Sequence, residues 1–104
     1  MAEERSVKRI DELRQQIDDI DTRLVELLSR RAACALAIGH EKKLIGLEVY
    51  QPTREAEVLN HVQRINPGPL DNEAVKRLFE RIIDEARRLE RVADTDEQKA
   101  QSDC

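Results

Sequence analysis

Tryptophan is missing from this chain of 104 residues, and one Phe and one Tyr are its only other aromatic side chains. A core built without large rings must be aliphatic and thin. Glycine and proline are scarce as well, at three each. Three of those six stand together at Pro67, Gly68 and Pro69, so the chain has few places to break. With 38% of residues charged, this scarcity reads as an all-helical protein with solvated faces. Two cysteines, Cys34 inside a helical pattern and Cys104 at the end of a polar stretch, do not suggest a structural disulfide. His40 and His61 stand alone, without metal-ligand spacing. No apolar run approaches a membrane span, and residues 1–9 are polar without a signal-peptide pattern, so no membrane partner and a cytoplasmic location are expected. The net charge of −4 comes from interleaved acids and bases with no basic stripe, which argues against nucleic acid as a partner.

What is present is a long apolar seam. Ile10, Leu13, Ile17, Ile20, Leu24 and Leu27 alternate at three- and four-residue steps, the signature of one helical face. A first helix is expected over about residues 6–43, roughly 55 Å at 1.5 Å per residue. That overshoots a compact domain of this size, whose radius of gyration should be ~13 Å. A second copy of the same chain is the simplest partner along its length. Residues 44–50, with Gly46, read as a loop. Pro52 suits the first turn of a second helix with Gln51 as its cap, and Glu55, Val58, Leu59, Val62 and Ile65 share its inner face. The break at residues 66–69 ends it. Asp71 is the expected N-cap of a third helix, with Leu70 and Val75 spaced as a hydrophobic staple. The inward stripe of that helix is Val75, Leu78, Phe79, Ile82, Ile83, Ala86, Leu89 and Glu90. The domain is expected to cover residues 1–93, and the polar, patternless residues 94–104 to form a disordered tail.

The seam carries an anomaly. Arg31 occupies a position that should hold leucine, and Ala32, Ala33, Cys34, Ala35, Ala37 and Gly39 around it remove the volume a structural helix would supply. A cation turned inward is retained only when paired or hydrogen bonded, and no acid of the same seam lies within a turn, so a bound anion is the economical reading. Lys42, eleven residues on and close to three turns away, points to the same side. Glu55 brings a carboxylate to the apolar face of the second helix and Glu90 does so on the third. Each has a plainer reading. Arg31 could set register in a seam, Lys42 and Glu55 could complement helix dipoles, and Glu90 could mark the edge of the core. Cys34 reads as packing.

Taken in order, Leu13, Arg14, Ile17, Ile20 and Asp21, then Leu27, Leu28, Arg30 and Arg31, then Ile38, Gly39 and Lys42, and last Tyr50, Gln51, Pro52, Arg54 and Glu55 resemble the all-helical chorismate mutases. The third helix, with Leu78, Phe79, Ile82 and Ile83, continues the likeness, which covers about residues 10–92. The resemblance implies an intertwined homodimer of three-helix chains with two active sites, each completed by one arginine of the other subunit. By position that arginine is Arg14, while Arg31, Lys42, Gln51, Arg54, Glu55, Ala86 and Glu90 belong to the main subunit. It also implies rearrangement of chorismate to prephenate in phenylalanine and tyrosine biosynthesis, with no cofactor or metal. Arg14, Arg31 and Arg54 would clamp the substrate carboxylates, Lys42 and a protonated Glu90 would face the ether oxygen, and Glu55 and Gln51 would lie near the ring hydroxyl.

The chain departs from the family at Ala86, often serine, and at Gln51, often Asp. Gln51 can still bond a hydroxyl, whereas Ala86 cannot. Glu90 stands where many bacterial members have glutamine. An isochorismate-pyruvate lyase would share the fold and the cations, and a non-catalytic helical dimerisation module is the reading of a different class. The length of the loop and the opening of the second helix look more like a mutase.

Overall fold

The structure, a computed structural model, describes residues 1–48 and 51–102, with side chains described as far as residue 93. Three helices occur in chain order: α1 (Ala2–Leu44), α2 (Pro52–Ile65) and α3 (Asn72–Ser102), with no strand among the described residues. The all-α expectation holds. The chain divides into two units, Met1–Arg31 and Ala32–Cys104.

The first unit is helix alone. It starts at Ala2, four residues before the expected end, because Ala2, Glu3 and Glu4 are good helix formers and the two acids in the first turn oppose the positive end of the dipole. A lone helix cannot cover its own stripe. Ile10, Leu13, Ile17, Ile20, Leu24 and Leu27 accordingly keep 41 to 55% of their surface in solvent within the single chain.

In the second unit α2 and α3 pack as a hairpin. Pro52 opens α2 as expected, and Gln51 takes the N-cap position with extended backbone. The expected side-chain cap is not made. Gln51 instead accepts through its carbonyl from the amides of Arg54 (3.1 Å) and Glu55 (3.3 Å), because its side chain is a methylene longer than the favoured capping residues. The turn after α2 is tied by Asn66. Its Nδ2 donates to the Leu70 carbonyl at 2.7 Å and to Asn72 Oδ1 at 3.0 Å, and its Oδ1 accepts from the Gly68 amide at 3.0 Å. Gly68 has φ of +76°, a conformation side chains resist. Asp71 then caps α3 as expected, accepting from the Ala74 amide at 2.7 Å.

The core is as thin as the composition implies. Val62 is the one buried hydrophobic residue among those described, with Val58, Leu59, Val75, Phe79, Ile82, Ile83 and Ala86 half-buried around it. Ile65, Leu78 and Leu89, expected to face inward, are exposed in the single chain. Cys34, expected to pack, is an exposed free thiol. For Ile65, Leu78 and Leu89 the cause is that a helix hairpin offers a single groove, too narrow to cover every apolar position of a wide stripe, whereas Cys34 lies on α1, outside that hairpin. The backbone of α3 is helical to Ser102, past the end expected near Val92, since no Gly or Pro interrupts residues 93–102. Val49, Tyr50, Asp103 and Cys104 lie outside the described residues.

Candidate functional site

The polar centre of the second unit lies where α3 approaches α1 at Gly39. That glycine is the buried residue of α1, and a methyl added there would meet Cδ of Glu90 at 3.5 Å and its Oε2 at 3.6 Å. Glu90 of α3 therefore lays its carboxyl against α1 at Gly39, with room for a methyl between them. Its Oε2 is buried. Lys42 stands three residues after Gly39, one turn along the same face of α1, and is half-buried. Ala35 and Ala32, on the same face toward the N-terminus, are half-buried small residues.

A second pair crosses the hairpin. Glu55, in the first turn of α2, forms an ion pair with Arg87 of α3 through Arg87 Nη2 and Glu55 Oε1. The side chains are 26% and 34% exposed, so the pair is partly withdrawn from water. Arg87 is three residues before Glu90 on α3, which places the two polar contacts on one face. Arg87 was not among the residues the sequence singled out. It stands four residues after Ile83 and three before Glu90, but spacing alone does not say what it meets across the hairpin.

At the N-terminus of α2, Gln51 and Arg54 border an open depression of about 630 Å³ with Leu47, Glu48, Pro52, Thr53 and Glu57. Both are exposed, and Arg54 Nη1 meets Glu57 Oε2 at 3.3 Å. At side-chain exposures of 68% and 59% that pair is solvated and easily exchanged for another anion. Ala86, half-buried, carries no donor.

Of the expected site residues, then, Glu90 meets α1 at Gly39, one turn from Lys42, and Glu55 meets α3 at Arg87, while Gln51 and Arg54 line the depression. Arg14 and Arg31 belong to the first unit. Arg14 is exposed and lies 4.0 Å from Asp11 of its own helix, while Arg31 is half-buried at the C-terminal end of its unit. Among the described residues no three metal-ligating side chains converge, and no helix is long and apolar enough to cross a membrane.

Lys42, Arg54 and Arg87 are cations of the second unit of a kind able to bind anions. Comparison with known proteins is more specific. A family model described as chorismate mutase type II matches residues 13–91. A bifunctional chorismate mutase/prephenate dehydratase of Pseudomonas aeruginosa is 45% identical over 83 residues, 75% of this chain and 23% of that protein. The chain thus spans about a quarter of the length of such curated relatives. A chorismate mutase of Methanocaldococcus jannaschii is 21% identical over 82% of this chain and 87% of its own length. Among solved structures, a chorismate mutase from Thermus thermophilus superposes with a TM-score of 0.78 at 35% identity, covering 80% of this chain and 94% of the other.

Proposed function

Because this chain belongs to the chorismate mutase type II family, we propose that it rearranges chorismate to prephenate in the making of phenylalanine and tyrosine. The observation that carries the reading is the carboxyl of Glu90 lodged against Gly39, one turn from Lys42. The reaction breaks an ether C–O bond and forms a C–C bond within one molecule. It gives no proton away and needs no nucleophile, so the work of the protein is to hold a compact, chair-like conformer and to stabilise negative charge growing on the ether oxygen.

The residues take these roles in the proposal. Arg31, Arg54 and the Arg14 of a second copy clamp the two carboxylates, using planar guanidinium forks that match them. Lys42 and the neutral acid of Glu90 donate to the ether oxygen. These bonds strengthen as charge develops, and interactions gained in the transition state raise turnover rather than binding alone. Glu55 and Gln51 accept from and donate to the ring hydroxyl, and Ala86 leaves its place without a polar contact.

The proposal includes a homodimer, supported by the exposed apolar face of the first unit. A cytoplasmic location is part of it, in keeping with the free thiol of Cys34. The test is incubation of the purified protein with chorismate, following its loss and the appearance of prephenate. Stoichiometric prephenate is the expected result. Pyruvate released from isochorismate, with chorismate untouched, would overturn the proposal, as would no turnover of either.

A further inference from the structure

We propose that Arg87 is a positioning residue for Glu55. It neutralises that carboxylate and turns it so that the other oxygen can accept from the substrate hydroxyl. The inference rests on the chorismate reading of the site.

Three observations lead there. Glu55 is an acid on the inner face of α2, where a substrate bearing two carboxylates must approach, and an uncompensated negative charge would repel it. Arg87 reaches across from α3 and engages Oε1, which leaves Oε2 of the same carboxylate as an acceptor. The pair is about a quarter to a third exposed, whereas the surface pair of Arg54 and Glu57 is more than half exposed. Lower solvation makes the compensation by Arg87 count for more than an exposed ion pair would. The first turn of α2 contributes in the same direction, since its backbone amides favour a carboxylate there. Arg87 also lies one turn from Glu90 on α3, so its charge bears on both acids.

A competing explanation makes Arg87 a simple clasp between α2 and α3. Steady-state kinetics with chorismate separates the two. Arg87→Ala should raise KM by about an order of magnitude, the scale of one unit charge exposed at short range in a half-buried site, with a smaller fall in kcat. Adding Glu55→Gln to Arg87→Ala removes the bare charge while keeping an acceptor, and should return most of the KM. A clasp would instead lower the melting temperature, leave KM unchanged below it and gain nothing from the second substitution. That outcome overturns the proposal. If Arg87→Ala does not fold, Arg87→Lys and Arg87→Gln carry the test: Lys should keep the parental KM and Gln should raise it, and equal KM values overturn the proposal. A parent protein inactive on chorismate would sink the functional reading itself, whereas an active parent with unchanged KM in the variants would refute only the role of Arg87.

Discussion

Glu90 concentrates the chemistry of the proposed reaction in one protonation state. An ionised carboxylate beside the ether oxygen would oppose the charge developing there, while the neutral acid donates a hydrogen bond. Activity should therefore fall as pH rises through the titration of Glu90, in a setting shared with the cations Lys42 and Arg87 on the neighbouring turns. Glu90→Gln keeps a neutral donor at every pH, so it should hold its kcat/KM on the alkaline side where the parent loses it. Identical profiles for the two proteins between about pH 5 and 9 would remove Glu90 from the ether oxygen. A second residue-scale effect is purely structural. The Asp71 side chain accepts from the Ala74 amide at 2.7 Å, and Asp71→Ala should cost ~1 kcal/mol of stability, read from denaturant unfolding with the slope unchanged. Glu90 was legible from the sequence because it continues an apolar stripe. Arg87 was not, because an ion pair between helices depends on how α2 and α3 are rotated against each other, and stripe spacing leaves that rotation open.

The elements differ in how well their own sequences explain them. In α2 and α3, Pro52 at the start, Asn66 with Gly68 at the break and Asp71 at the cap mark the boundaries, and each is found in its expected place. The apolar positions were legible only as a stripe. Leu78 and Leu89 belong to it by spacing and yet face solvent in the single chain, since periodicity says which face is apolar but not how wide the groove opposite will be. Within α1 the informative residue is Gly39. A methyl there would sit 3.5 Å from Glu90 Cδ, an ordinary contact, so Gly39→Ala should fit and gain up to about 1 kcal/mol from helix propensity. Gly39→Leu has no such room. It should displace the Glu90 carboxyl and depress kcat by more than tenfold while circular dichroism still reports the helices. Full activity in Gly39→Leu would separate the glycine from the placement of Glu90.

At the scale of the whole molecule, the exposed seam of Ile10, Leu13, Ile17, Ile20, Leu24 and Leu27 calls for a partner. Burying a Leu or Ile side chain fully contributes about 1.5–3 kcal/mol, so a stripe of this length leaves a large driving force unused in one chain. Light scattering at micromolar concentration should give twice the chain mass. Ile17→Glu with Leu24→Glu should halve that mass and lose helicity and activity together. The seam itself was plain in the sequence, as was the need for something to cover it. The proposed roles of Arg14 and Arg31 were legible only through the family likeness, since spacing along one helix does not say what either arginine meets. The most direct test of a site built from two copies is therefore a mixing experiment. Arg14→Ala and Arg31→Ala, each inactive on chorismate, are unfolded together and refolded. A heterodimer would hold one site with both arginines and one with neither. Random pairing makes half the dimers heterodimers, so about a quarter of parental activity should return. No activity in a mixture whose subunits demonstrably exchange would contradict the account.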